Sequence, residues 1–127
     1  MAFVRTNLNP LGKKTSDSHI RAVAAACNIT WDEAFRELSE EAFRQKDTSW
    51  DVKVIEKVLL NHGFTAGKVT VTKGSKRPTV EGFANEHPDY VCVLRISGYY
   101  LACAYGNYVD IEDYGYASLY KYWYKKI

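Results

Sequence analysis

The first residues with chemical potential lie in the stretch Thr15-Ser16-Asp17-Ser18-His19-Ile20-Arg21-Ala22-Val23-Ala24-Ala25-Ala26-Cys27. Ile20, Val23, Ala24 and Cys27 recur at i, i+3, i+4 and i+7, which predicts a helix with one apolar face and Arg21 turned away from it. Thr15, Ser16 and Asp17 stand ahead of that helix as candidate caps, which puts Ser18 in its first turn. Backbone N–H groups point outward there and the helix dipole is positive, so an anionic group gains stability. A cysteine at position 18 would be an activated thiolate. A serine hydroxyl needs a partnered base as well.

Three histidines are the obvious bases. His19 neighbours Ser18, but adjacent helical residues project about 100° apart and do not face each other. His62 precedes the helix-ending Gly63 and suits a charge at a helix C-terminus. His87 precedes Pro88 in a loop. A structural role is expected for each. No zinc or EF-hand spacing occurs, and Gly74 and Gly82 lie in the wrong context for a nucleotide cradle, so no metal and no cofactor are expected.

The chain has 127 residues, and its 17 basic and 15 acidic side chains leave a formal net charge of +2. That length predicts a single domain over residues 1–127, and that balance gives no ground for nucleic-acid or anionic-membrane binding. No apolar run approaches a membrane span and residues 1–10 lack a signal-peptide core, so a cytoplasmic setting is expected. Cys27, Cys92 and Cys103 are odd in number, lack ligand spacing and fall in apolar segments, which fits reduced core thiols.

Residues 1–14 read as an extended or looped arm. After the first helix, Asn28 is a stop and Thr30-Trp31-Asp32-Glu33 is a capping box. Trp31, Ala34, Phe35, Leu38 and Ala42 make the buried stripe of a second helix ending near Gln45, with Glu37, Glu40, Glu41 and Arg44 on its wet face. Asp47 or Thr48 opens a third helix, with Val54, Ile55, Val58 and Leu59 inward and Gly63 as terminator. Val69 and Val71 alternate as a short strand, a basic turn follows over residues 73–78, and residues 79–86 form a short helix. Beyond it lie strands at 90–97, 99–105, 108–112 and 119–124, with turns at Gly98, Gly106-Asn107 and around Gly115. The expected fold is α+β, three N-terminal helices packed on a C-terminal antiparallel sheet.

Several motifs in order carry a family resemblance. Asn9-Pro10, Asp17-Ser18-x-x-Arg21-Ala22, Thr30-Trp31-Asp32-Glu33-Ala34, Thr79-Val80-x-x-Phe83, Tyr90-Val91, Gly98, Gly106, Tyr108-Val109-Asp110 and Tyr122-Trp123 span nearly the whole chain. This series resembles small papain-like cysteine-protease-fold proteins of bacteriophages and prophages. The resemblance implies a papain-like fold, a nucleophile position at Ser18, a base position at Tyr99 (or Tyr100, one register away) and an orienting position at Asp110. Cysteine and histidine are replaced at the first two, and a phenol of ordinary pKa about 10 is a poor proton acceptor at neutral pH. The implied function is that of a catalytically inactive descendant that binds a protein partner, with a host factor as one candidate. A cysteine peptidase or amidase inactivated by a Cys-to-Ser change at Ser18 is the alternative.

All ten tyrosines lie from Tyr90 onward. Tyr120, Tyr122 and Tyr124 alternate onto one face of the last strand, with Lys121 and Trp123 on the other. A structural role for these aromatics ranks first, a protein-contact surface of Tyr120, Tyr122, Tyr124 and Trp123 second. A stacking platform for single-stranded nucleic acid, charged by Lys73, Lys76, Arg77, Lys121, Lys125 and Lys126, ranks third.

Overall fold

The structure is a computed structural model that describes residues 3–127. Helix α1 (Ser18–Cys27) ends at Asn28, whose left-handed φ of 56° lets its N–H reach the Ala24 and Ala25 carbonyls. Helix α2 (Trp31–Gln45) starts on the expected capping box: Thr30 accepts from the Glu33 N–H, and Glu33 accepts in return from the Thr30 N–H. Both bonds satisfy donors that the first helical turn leaves free. Helix α3 (Val52–Asn61) begins later than the sequence predicts, with Asp51 rather than Asp47 or Thr48 as its cap. Thr79 caps the short α4 (Val80–Glu86).

The strands are β1 (Phe3–Arg5), β2 (Thr65–Ala66), β3 (Tyr90–Ile96), β4 (Tyr99–Ala104), β5 (Asn107–Asp110) and β6 (Lys121–Lys126). They form one sheet in the order β1-β5-β4-β3-β6-β2. The domain is therefore α+β, but its sheet is mixed: β1, within the segment expected as an extended or looped arm, pairs parallel to β5. The second hairpin turns at Tyr105-Gly106, because Ala104 pairs directly with Asn107. Both turn residues have positive φ, 54° and 79°, the geometry that matches the strand twist in two-residue hairpins. Val69 and Val71 lie outside any strand, and the pairing with β6 is made by Thr65 and Ala66 instead.

Alternation along the central strands sends side chains into two cores. Val93, Tyr100, Ala102 and Trp123 join the apolar stripes of α1, α2 and α3 on one side of the sheet. Cys92, Leu94, Leu101, Cys103 and Tyr108 pack with Val80, Phe83 and Ala84 of α4 on the other. The second helix departs from its predicted stripe. Phe35 is 48% exposed, whereas Glu41 is buried, its carboxylate held by Arg44 and Gln45.

Candidate functional site

Ser18 is the first residue of α1 and lies against β4, where its Oγ accepts a hydrogen bond of 3.2 Å from the Tyr100 N–H. Behind it stands a cluster that the helical periodicity does not reveal. Arg21, one turn on, is only 7% exposed, and its guanidinium bonds Asp17 Oδ1 at 2.8 Å through Nε and Asp110 Oδ1 at 2.7 Å through Nη1. The remaining Nη2 donates to the Tyr99 hydroxyl at 3.1 Å, and that hydroxyl donates to Asp110 Oδ1 at 2.9 Å. Arg21 is thus turned from the apolar face as predicted, but it points into protein.

Asp17 holds the N-cap position without capping. Its side chain makes no bond to the helix backbone, and Oδ2 accepts instead from Asn9 Nδ2 at 3.1 Å and from the Trp31 indole at 3.0 Å. Burial pushes the Asp17 carboxyl up, but the bonds from Arg21, Asn9 and Trp31 outweigh it and hold the group below its ordinary value. Burial works against the Arg21 charge too, and its three partners leave it more firmly protonated than usual. Tyr99 is pushed up to about 12, chiefly by burial and also by the neighbouring Asp110 carboxylate, although Arg21 opposes the shift. At neutral pH its phenol keeps its proton and spends it on Asp110. The three positions Ser18, Tyr99 and Asp110 are brought to one end of α1, but the chemical links run between Tyr99, Asp110 and Arg21.

The histidines are occupied elsewhere. His19 Nε2 faces the Ser49 hydroxyl at 3.4 Å, and burial lowers its pKa, so the ring is neutral at pH 7. His62 bonds Glu37 at 2.6 Å, and His87 stacks on Tyr90 with ring centroids 4.5 Å apart. Among the described residues no imidazole hydrogen-bonds Ser18. A serine hydroxyl without a base stays a hydroxyl.

No family model, curated protein or solved structure matches this chain. What the site can do therefore rests on its own geometry. A cleft of about 620 Å³ opens beside Ser18, lined by Thr15, Ser16, His19, Trp50, Arg95 and the Gly98 to Tyr100 turn. Its walls combine hydroxyls, aromatic rings and one guanidinium, a lining suited to holding a ligand that has both apolar and polar parts. Arg95 lies over the Tyr100 ring, and its buried Nε has no hydrogen-bond partner among the described residues. Among the described residues no group of three or more His, Cys, Asp or Glu side chains is disposed to hold a metal ion.

Of the expected contact residues Tyr120, Tyr122, Tyr124 and Trp123, the structure removes Trp123 from the surface and leaves the three tyrosines partly or largely exposed. Trp123 is 0% exposed and donates its indole N–H to Glu56 at 2.8 Å, because its side of β6 faces the three helices. Tyr122 packs on Phe83 and Tyr124 on Tyr90, each with centroids 4.6 Å apart, so both are partly buried near α4. Tyr120 remains exposed, with the Arg77 guanidinium 4.4 Å over its ring. Among the described residues no helix is long and apolar enough to cross a membrane.

Sequence reasoning missed Asn9, Trp31 and the buried state of Arg21. The available signal was the Asp17–Arg21 spacing, an opposite-charge pair four residues apart on an otherwise apolar helix.

Proposed function

We propose that this chain is a papain-like domain of phage or prophage type that has lost its catalytic pair and acts by binding a protein partner, a host factor being the expected class, at the cleft beside Ser18. The observation that carries this reading is the engagement of Asp110 Oδ1, while the buried Oδ2 meets no hydrogen-bond donor among the described residues. In the enzymes the chain resembles, that position orients an imidazole; here its Oδ1 accepts from Arg21, Tyr99 and the Ile111 N–H. Among the described residues no imidazole hydrogen-bonds Asp110 or Ser18, so the one has no ring to orient and the other no base. The cleft itself persists, and rigid aromatics with an arginine are the side chains that dominate protein recognition.

Two measurements test the proposal. Ser18→Cys is assayed for peptide and amide hydrolysis beside the unaltered protein, and neither is expected to turn over substrate; turnover by Ser18→Cys would overturn the loss of catalysis. Capture from bacterial lysate is then compared with Ser16→Trp, which fills the cleft from an exposed position. A partner held by the unaltered chain and lost by Ser16→Trp is the expected result, and the absence of any cleft-dependent partner would overturn the binding role.

A further inference from the structure

The outer face of α2 carries two rows of side chains, most of them exposed, although Trp31 is partly buried against the helical core. Trp31, Phe35, Ser39 and Phe43 follow one another at intervals of four, and Asp32, Arg36, Glu40 and Arg44 form the row beside them. Together these rows line a groove of about 700 Å³. Phe35 is 48% and Phe43 73% exposed, and Trp31 stacks on Phe35 with centroids 5.3 Å apart. Trp31 serves the fold through its bond to Asp17, but the rings of Phe35 and Phe43 stand largely in solvent.

The charged row identifies what fits there. Its signs alternate along the helix, negative at Asp32, positive at Arg36, negative at Glu40, positive at Arg44. Turned end over end the series becomes its own complement, so a two-fold axis near the helix midpoint sets Arg36 against Glu40 of a second copy and Asp32 against Arg44. A parallel copy would set each charge against its like, which costs energy. Phe35 and Ser39 flank the same axis, a large side chain beside a small one at the centre of the contact. Residue i meeting residue j while j meets i is the signature of a closed two-fold contact.

We infer that α2 is the contact face of an antiparallel homodimer, with a second copy of this chain as the occupant of the groove. Asp32, Arg36 and Glu40 enter no ion pair among the described residues, although four-residue spacing would allow it, and so remain available across the axis. Arg44 already bonds Glu41 at 2.8 Å, which makes the outer pair the weaker of the two. The Lys46 ammonium, 3.9 Å from the Phe43 ring centre, swings aside at little cost because it is exposed. Past the helix start the apolar surface continues over Leu8, Pro10 and Ile29. The 31–43 row is about 18 Å long at 1.5 Å per residue. That length limits the contact to the small end of specific interfaces, so the dimer dissociates on dilution.

Sedimentation velocity on the full chain, from micromolar to millimolar concentration, tests this. A reversible monomer–dimer equilibrium is expected. Arg36→Glu and Glu40→Arg should each weaken it by about tenfold or more, since each sets like charges across the axis. The double exchange should restore it to within about threefold, a difference well below the 1.4 kcal/mol of a tenfold change. Circular dichroism and thermal melting of each variant separate dissociation from misfolding. A chain monomeric throughout overturns the proposal, as does a dimer indifferent to either charge reversal, or folded single variants whose weakening the double exchange does not reverse. A monomer that takes up only a foreign partner on α2 overturns it as well.

Discussion

Replacing Arg21 by methionine removes the cation that Asp17 and Asp110 share while keeping most of the side chain's apolar bulk. Both carboxylates are 2% exposed, so neither recovers hydration when the guanidinium goes. Breaking a buried pair by deleting one partner costs about 3–5 kcal/mol, because the other charge is left behind. Here the cost falls at the low end, since Asp17 keeps Asn9 and Trp31 and Asp110 keeps Tyr99 and the Ile111 N–H. A loss of about 3 kcal/mol, divided by a urea m-value of about 1.5–2 kcal/mol/M for a domain of this size, lowers the midpoint by roughly 1.5–2 M. The assay is urea unfolding followed by far-ultraviolet circular dichroism and tryptophan fluorescence. The pH dependence supplies a second readout. With Arg21 present, Asp17 titrates below its unfolded value, so its stabilisation is complete above about pH 4 and is lost on acidification. Without Arg21 only Asn9 and Trp31 oppose the burial that pushes Asp17 up, so the variant should lose less stability on acidification than the parent does. A midpoint shift below about 0.5 M, or parallel pH profiles, would refute the reasoning.

His19 and Trp123 give two further expectations. His19 has a folded-state pKa below its unfolded value, so as pH falls through about 6.5 the unfolded chain takes up a proton the folded chain refuses, and stability drops. His19→Gln should flatten this part of the profile in urea titrations between pH 7 and 5. Trp123→Phe removes the indole bond to Glu56 from a fully buried site and should cost about 2 kcal/mol, read as a lowered urea midpoint. The Trp123 bond is also the leading reason Glu56 titrates below its ordinary value, so the deficit should shrink below about pH 4.

The sequence disclosed what local chemistry determines. Thr30 with Glu33, Asn28 and Gly63 mark helix ends through hydrogen bonds or backbone angles that involve only near neighbours, and each stands as expected, while Thr79, expected inside the short helix, caps it instead. The β3–β4 and β4–β5 hairpins were legible for the same reason, apart from a one-residue shift at Tyr105-Gly106. Distant partners decided the rest. The β1 segment is a strand only because β5 is there to pair with it, Phe3 opposite Tyr108. Val69 and Val71 alternate correctly, yet the chain parts from β6 at Gly67, where a Cβ would sit 2.0 Å from the Tyr122 ring. At the site, Asp17 and Arg21 were visible as neighbours on one helix, but their closure onto Asp110 spans 89 residues and has no local signature.

The placement of β6 bears on how the domain is made. Although it is the last strand in order, it lies inside the sheet between β3 and β2, and it carries the largest fully buried side chain. A nascent polypeptide synthesised only as far as Ser118 has every helix and the β3–β4 hairpin, yet β3 keeps a bare hydrogen-bonding margin and the socket for Trp123 stands open. Such a product exposes the kind of margin that recruits other chains into aggregates. Closure of the sheet therefore waits until the residues up to Lys126 have cleared the ribosome, and a stalled or clipped translation product is a substrate for chaperones and proteases rather than a smaller working domain.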